Sequence, residues 1–288
     1  MRRFKIAHIS DLHIDYNDKN LIKEFELLLK KINSNNVNHL IITGDLIHNP
    51  IEKNYFILKN ILKKYGFWSY NKLTVTIGNH EIFGGAEKTH TFPYQCKYTN
   101  YKENVHSFLV FFEKILSKNS SPKFPILKEI SDNIILFIFN SVANWSANKN
   151  PIGSNGNVNT EQFRIANKIL KNNIFINHIK IAVIHHHFYY TANHFYDELH
   201  RLWLYSERDT MVMHNYKKVL NFLKRNDIDL ILHGHTHYTN IYKKNNITII
   251  NSSGCLKPLS NVKKRLFTLI ELDNKTKRSE FKTKIIEA

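Results

Sequence analysis

Five short polar blocks, each placed directly after a run of apolar residues, constrain this chain more than any other feature of its sequence. The blocks are Asp11-Leu12-His13, Gly44-Asp45, Gly78-Asn79-His80-Glu81, His185-His186-His187 and Gly234-His235-Thr236-His237. The runs before them are Lys5–Ser10, Leu40–Thr43, Leu73–Ile77, Ile181–Ile184 and Leu230–Leu232. Such runs, mostly of β-branched residues, predict buried strands. Because ligands bind at the carboxyl ends of strands in open α/β sheets, we expect the five blocks at one rim.

The residue types in the blocks predict a metal site at that rim. Each block alone is typical of a turn or a surface histidine. Together they supply aspartate, asparagine and histidine side chains, which suit Zn, Mn or Fe. The chain has only 2 cysteines, which are too few for a thiolate zinc site or a disulfide framework.

The segments between the blocks predict a sheet with crossover helices. Helical periodicity over Leu21–Asn33 and near Lys53–Tyr65 alternates with the first three strands, which favours parallel strands. Residues 82–124 interrupt this rhythm and contain a predicted helix around Lys102–Lys118. Since this insertion follows the third block, we expect it to overhang the site.

The second half of the chain predicts further strands and two helices. Predicted strands are Ile126–Ile130, Ile134–Asn140, Asn240–Lys244, Ile247–Asn251, Arg265–Glu271 and Arg278–Ile286. Predicted helices are Glu161–Lys171 and Met211–Lys224, and Asn144–Asn159 is predicted as a loop. Asn245-Asn246 suits a tight turn between two antiparallel strands. An aromatic loop near 186–210 is expected to flank the site, where it either stacks on a nucleobase or forms a satellite core.

The order of the blocks resembles the signature of the calcineurin-like metallophosphoesterase superfamily. The resemblance extends from about Lys5 to Gly254. It implies an α/β fold: a four-layer αββα sandwich of two mixed β-sheets with flanking helices, and a dinuclear metal site at the rim of the strand C-termini. The class III cyclic-nucleotide-phosphodiesterase-like branch is most similar, because of Ile9-Ser10-Asp11-Leu12-His13 and the histidine-rich fourth block.

The same resemblance implies a role for each candidate residue. The ligands of one metal would be Asp11, His13, Asp45 and His237. The ligands of the other would be Asp45, Asn79, His185 and His235, with Asp45 as the bridge. His80 would be the catalytic residue, as a general acid or a stabiliser of the transition state. Glu81 would orient His80 or a ligand.

Several histidines leave alternatives open. Only one of the fourth-block histidines is expected to be a ligand, and His185 is favoured over His186 because it comes first after the strand. Many relatives have proline after this block, whereas Phe188 follows here. Three further histidines are expected to be structural or exposed rather than ligands. They are His8, His39 and His48.

Composition bounds the organisation and the location of the protein. The 288 residues contain no linker-like composition break, so we expect a single domain over residues 1–288. No apolar stretch is long enough to span a membrane, and the short segment before Asp11 leaves little room for a signal-peptide core. A cytoplasmic protein is therefore expected. The net charge of +17 suits either anionic partners or a diffusely basic surface, and the spread of the lysines favours the second. The oligomeric state is left open.

The leading functional hypothesis is a phosphodiesterase that uses two divalent metal ions (Mn, Fe or Zn) to activate hydroxide. Its partner would be a small phosphorylated substrate such as a cyclic or other small nucleotide. The alternatives are a nuclease of the DNA-repair kind, which the basic charge favours slightly, and a phosphomonoesterase. A non-catalytic scaffold is disfavoured because the full set of ligand residues is present.

Overall fold

The computed structural model of the protein describes residues 3–85, 96, 98–118, 121–171, 173–188, 211–237, 239–252, 265–273 and 281–288. Its strands are β1 (Phe4–Ile9), β2 (His39–Ile42), β3 (Leu73–Val75), β4 (Ile126–Ser131), β5 (Ile134–Ile138), β6 (Ile179–Val183), β7 (Leu230–His233), β8 (Asn240–Lys244), β9 (Ile247–Asn251), β10 (Leu266–Leu272) and β11 (Phe281–Glu287). Its α-helices are α1 (Lys19–Ser34), α2 (Glu52–Lys64), α3 (His80–Phe83), α4 (Tyr101–Phe111), α5 (Glu113–Leu116), α6 (Thr160–Leu170) and α7 (Tyr216–Arg225), and a 3₁₀-helix covers Asn173–Phe175.

The strands form two mixed sheets. The first has the order β11-β10-β1-β2-β3, in which β1, β2 and β3 are parallel and β10 runs antiparallel to β1. The second has the order β4-β5-β6-β7-β9-β8, in which β5, β6, β7 and β9 are parallel. The predicted α/β fold, with two mixed sheets and flanking helices, is therefore confirmed.

Alternate residues of the second sheet belong to two different cores. Ile134 and Leu136 of β5 pack in the core that they share with β1, β2 and β3. Ile135 and Phe137 of the same strand pack in a second core, together with apolar residues of α6 and α7. Because successive side chains point to opposite faces of a strand, this division places helices outside the sheet and another sheet inside it.

Local sequence signals explain where several elements begin and end. The side chain of Asp18 accepts a hydrogen bond from the backbone N–H of Leu21 and so caps α1. Asn245 and Asn246 both have positive φ angles, 52° and 66°, which confirms the tight turn predicted between β8 and β9. None of the helices in the described part of the chain is both long and apolar enough to cross a lipid bilayer.

Two predicted helices were wrong in their extent. The helix predicted over Lys102–Lys118 is interrupted at Phe112, which separates α4 from α5. The helix predicted from Met211 begins only at Tyr216. In both cases the helical spacing of apolar residues continues where the helical hydrogen bonding does not. Met213, for example, is buried without being helical. Periodicity reports which residues are buried more directly than it reports hydrogen bonding.

The described part of the insertion packs against the core. Phe108 and Phe112 are fully buried, and α5 lies beside β3. The overhang expected for the whole insertion, residues 82–124, stays a prediction, because residues 86–95, 97, 119 and 120 lie outside the described residues. The aromatic loop is described only as far as Phe188, which packs in the second core, and residues 189–210 lie outside the described range.

We expect buried His39 to make stability depend on pH. Its imidazole hydrogen-bonds to the Asn71 carbonyl oxygen and to the Thr74 hydroxyl, at 2.8 Å each. Burial, assisted by the charge of Lys128, lowers the pKa of His39 to about 3. Below pH 6.5 the His39 imidazole is protonated in the unfolded chain, whereas it stays neutral in the native chain until the pH falls to about 3. Between these pH values, each fall of one pH unit therefore lowers the free energy of unfolding by about 1.4 kcal/mol. Urea unfolding of chelated protein at several pH values should give a shallower acid slope for His39→Asn than for the unsubstituted chain. Equal slopes would contradict this expectation.

Candidate metal centre

Residues of the first, second and fifth blocks have an unusual backbone conformation. Five of the seven predicted metal ligands have left-handed φ angles between 48° and 77°: Asp11, His13, Asp45, His235 and His237. Non-glycine residues rarely adopt this conformation, and they concentrate at functional sites when they do.

The first two blocks are bonded to each other beyond the ends of β1 and β2. The backbone N–H of Asp11 donates to the Gly44 carbonyl at 3.1 Å, and that of His13 donates to the Asp45 carbonyl at 2.9 Å. These bonds hold the side chains of both blocks on the same rim.

Four predicted ligands form a first cluster. They are Asp11, His13, Asp45 and His237, and one ligand atom from each lies within 4.8 Å of the others. The Nε2 atoms of His13 and His237 are 3.3 Å apart. Nε2 of His237 lies 3.6 Å from Oδ1 of Asp11. These atoms converge on one point.

A second cluster lies on the other side of Asp45. It contains Asp45, His185 and His235, whose ligand atoms also lie within 4.8 Å of one another. Nε2 of His185 lies 3.0 Å from Nδ1 of His235 and 3.1 Å from the amide oxygen of Asn79. The structure thus brings together all seven predicted metal ligands.

Asp45 faces both clusters with different oxygen atoms. Its Oδ1 lies 3.5 Å from Nε2 of His185, and its Oδ2 lies 3.9 Å from Nε2 of His13. Burial alone would raise the pKa of Asp45, but His185, His80 and His13 outweigh burial and hold this pKa well below its ordinary value. The carboxylate is therefore ionised and is placed where one group can serve two cations.

The donor atoms fit two divalent cations. The Nδ1 atom of His185 contacts the Thr43 carbonyl oxygen at 2.7 Å, which makes Nδ1 the donor and turns the Nε2 lone pair towards the cluster. Without a cation, burial lowers the pKa of His185, but Asp45 and then Asp11 outweigh burial and raise it to about 9. Burial is the main cause that raises the pKa of Asp11. A bound cation would compensate the buried negative charge of these two carboxylates.

Two glycines permit this close approach of the blocks. Gly44 has a φ of 90°, and a Cβ atom there would collide with the imidazole of His185. A Cβ atom on Gly234 would collide with the hydroxyl of Ser10 and the carboxylate of Asp11. The glycines in these blocks are therefore part of the geometry of the site as well as turn signals.

Glu81 holds the backbone of the second block. Its carboxylate accepts four backbone N–H bonds, which come from Asp45, Leu46, Ile47 and Gly78 at 2.7–3.1 Å. Burial, and then the charge of Asp45, raise the pKa of Glu81 to about 8, whereas the N–H donors favour the ionised form. All four partners are donors, so the geometry suits a carboxylate.

His80 lies at the open side of the first cluster. Its Nδ1 contacts the carbonyl oxygen of His48 at 2.9 Å, and since a carbonyl only accepts, Nδ1 carries the hydrogen. Its Nε2 lies 3.9 Å from Oδ2 of Asp45. The ring is thereby aimed at the clusters.

The fourth block separates into distinct environments. His186 is buried, with Nδ1 2.8 Å from the Ser141 hydroxyl and Nε2 3.1 Å from the Ser154 carbonyl oxygen. Both of its ring nitrogens are occupied within the protein, whereas Nε2 of His185 faces Asp45. His187 is buried beside His235, with stacked rings 5.8 Å apart.

The other three histidines fall into two groups. His8 and His39 are buried in strands, and Nε2 of His8 contacts the Thr43 hydroxyl at 2.9 Å. His48 differs from them, because a ring nitrogen of His48 lies within 4.8 Å of ring nitrogens of both His13 and His80. Sequence reasoning did not place His48 at the site. The available signal was its position three residues after Asp45, on the same loop.

Comparisons with known proteins bear on the family and the fold of this chain. The family model described as calcineurin-like phosphoesterase matches residues 4–239. A search of the curated proteins found no match. A dimetal phosphatase from Danio rerio is similar in structure, with a TM-score of 0.68, 10% identity, and coverage of 99% of this chain and 98% of that chain.

Two larger proteins share the fold over part of their length. A purple acid phosphatase from yellow lupin, Lupinus luteus, has a TM-score of 0.55 and 12% identity, with coverage of 94% of this chain and 49% of that chain. A putative 5′-nucleotidase from Staphylococcus aureus has a TM-score of 0.55 and 15% identity, with coverage of 99% and 54%. This chain thus spans about half of each. Since the family model covers most of the sequence, the chain belongs to the calcineurin-like phosphoesterase family and is a metal-dependent phosphoester hydrolase.

Proposed function

We propose that this protein is a phosphodiesterase that hydrolyses cyclic or other small nucleotides at a centre of two divalent metal ions. One observation carries the proposal: the two carboxylate oxygens of Asp45 face two separate groups of imidazole nitrogens. A carboxylate that bridges two cations needs this arrangement.

The proposed ligands divide between the two ions along the two clusters. The first ion would be held by Asp11, His13, Asp45 and His237. The second would be held by Asp45, Asn79, His185 and His235. Mn, Fe and Zn all suit this mixture of carboxylate, amide and imidazole ligands. Only two of the seven ligands are anionic, so the loaded centre keeps a net positive charge for a phosphate anion.

The metal ions would neutralise phosphoryl oxygens and lower the pKa of a bound water, so that hydroxide is available near neutral pH. His80 would stabilise the departing oxygen of the ester. Because its Nδ1 already donates to the carbonyl of His48, Nε2 can donate only from the imidazolium form. That form is the acid that a leaving alkoxide requires.

The choice of a diester over a monoester rests on the resemblance of the sequence to the cyclic-nucleotide-phosphodiesterase-like branch, which is carried by Ile9-Ser10-Asp11-Leu12-His13 and the histidine-rich fourth block.

The function is tested with a matched pair of chromogenic substrates. Protein reconstituted with Mn²⁺ is assayed on bis(4-nitrophenyl) phosphate and on 4-nitrophenyl phosphate, with a chelator control. We expect chelator-sensitive hydrolysis and a higher kcat/KM for the diester, followed by turnover of cyclic nucleotides. A higher kcat/KM for the monoester would assign a phosphomonoesterase instead.

A nuclease is the second candidate, and the net charge of +17 is the observation that favours it. Nucleic-acid binding through lysine and arginine weakens steeply with salt. A salt-dependent affinity for DNA, together with chelator-sensitive cleavage of it, would favour the nuclease over the small-nucleotide enzyme.

The substitution His80→Ala should lower turnover while both metal ions stay bound. We expect kcat to fall by about 10²- to 10³-fold, the usual effect of losing one group that stabilises transition-state charge. Elemental analysis should still find two metal ions per chain. Loss of one ion with an unchanged rate per loaded site would make His80 a ligand instead.

A further inference from the structure

We infer that His48 is a substrate-binding residue, which donates a hydrogen bond to a phosphoryl oxygen beside His80. This inference rests on the proposed function and deepens it, because it adds a group that binds the phosphate of the substrate without binding metal. The ligand class is a phosphate mono- or diester, or inorganic phosphate itself.

The geometry places the imidazole of His48 on the open side of the first cluster. The rings of His48 and His80 have centroids 5.5 Å apart, and those of His48 and His13 are 6.5 Å apart. His13 is buried with 4% exposure, whereas His48 and His80 are both half-buried. A group bound next to the cluster would therefore meet two accessible imidazoles.

The backbone of His48 is fixed by three hydrogen bonds. Its N–H donates to the Ile14 carbonyl at 3.0 Å. Its carbonyl accepts from Nδ1 of His80 at 2.9 Å and from the Gly85 N–H at 3.0 Å. A residue bonded in this way to both the first block and His80 keeps its position relative to the reacting atoms, which is what a substrate contact requires.

The side chain of His48 lies against a glycine. A Cβ atom at Gly85 would collide with the imidazole of His48 at Cε1 and Nε2. Glycine at this position therefore leaves room for the ring in its present orientation. The dipeptide Gly84-Gly85 directly follows α3, so the short segment from His80 to Gly85 supplies both the imidazole of His80 and the space for His48.

A substrate contact explains this placement better than a role as metal ligand does. The first cluster already contains four ligand residues, and His48 shares only His13 with it. An imidazole N–H that meets a phosphoryl oxygen forms a hydrogen bond to a charged acceptor, one of the stronger kinds in proteins.

The test compares four Mn²⁺-loaded variants with the unsubstituted protein: His48→Ala, His48→Gln, Gly85→Ala and His106→Ala. His106 is an exposed histidine on α4 and serves as the matched control. The readouts are metal content, kcat/KM for bis(4-nitrophenyl) phosphate, and the dissociation constant of inorganic phosphate from calorimetry. A thermal melt of each variant checks that it is folded.

For His48→Ala we expect two bound metal ions, kcat/KM lowered on the order of 10- to 100-fold, and phosphate bound about 10-fold more weakly, as loss of a hydrogen bond to a charged group predicts. His48→Gln keeps an N–H donor and should recover part of both losses. Gly85→Ala displaces the ring and should change both quantities in the same direction as His48→Ala. His106→Ala should change neither.

Unchanged phosphate affinity in His48→Ala, or loss of a metal ion from it, would overturn the inference. The phosphate measurement also separates this inference from the proposed function. If the unsubstituted protein hydrolyses no ester but binds phosphate more tightly than His48→Ala does, the proposed function fails and the phosphate contact of His48 stands. Absence of phosphate binding by the loaded protein would overturn the contact.

Discussion

The substitution Asp45→Ala is expected to abolish hydrolysis because it removes a group that faces both ligand clusters. Its Oδ1 and Oδ2 point to His185 and His13 respectively, so its loss removes one ligand from each proposed ion. We expect fewer than two metal ions per chain and at least about a 10³-fold fall in kcat/KM, since both metal-activated hydroxide and charge neutralisation are lost.

Asp45→Asn makes the same test with less disturbance of the backbone. The backbone N–H of His80 donates a hydrogen bond to Oδ1 of Asp45 at 2.9 Å, and the side-chain oxygen of asparagine can still accept it. Its amide nitrogen has no lone pair for a cation, so it can serve only one of the two ions. Asp132→Asn, on the exposed turn between β4 and β5, is the matched control. Near-normal turnover of Asp45→Asn with two bound ions would refute the bridging role.

The substitution Glu81→Gln is expected to destabilise the protein even when no metal is bound. Glutamine offers one acceptor oxygen, and its NH₂ group would face backbone N–H donors that now bond to the second carboxylate oxygen. Leaving two buried donors unsatisfied, each worth about 1–3 kcal/mol, predicts a loss on the order of 3 kcal/mol in the free energy of unfolding.

Urea unfolding with a chelator present measures this effect separately from metal binding. Glu52→Gln, an exposed change in the first turn of α2, is the matched control and should alter the free energy of unfolding by less than about 1 kcal/mol. Metal affinity of Glu81→Gln should fall as well, since the backbone of Asp45 loses its anchor. If Glu81→Gln unfolds at the same urea concentration as the unsubstituted chain, the four N–H bonds do not need a carboxylate.

Much of the fold could be predicted because its elements carry local signals. The apolar runs before the five blocks are strands, and the stripe over Leu21–Asn33 is the buried face of α1. Boundaries were less predictable, as the interruption at Phe112 illustrates. Burial sets the apolar pattern, whereas the hydrogen bonds that end a helix depend on neighbouring elements.

The role of Glu81 illustrates the limit for individual residues. Its sequence neighbours suggested that it orients His80 or a ligand. Three of the backbone groups that it binds lie in the second block or directly after it, more than thirty positions earlier. No local pattern encodes that pairing, because it depends on how the ends of β2 and β3 meet. The same holds for His48, which is near His80 only in the folded chain.

The sequence by itself indicated the strands that carry the blocks, because apolar runs predict strands, and it indicated the family and the candidate ligands through the resemblance of the five blocks to the family signature. The family resemblance already implied how those ligands are grouped, but only the tertiary structure gives the distances between them. It placed Asp11 within 3.6 Å of His237, more than two hundred positions away, and it turned one oxygen of Asp45 to each cluster. In the folded chain, both ring nitrogens of His186 contact serine oxygens, whereas Nε2 of His185 faces Asp45. The physical reason is that contacts between distant blocks arise from the packing of two sheets, which brings their strand ends to a common rim.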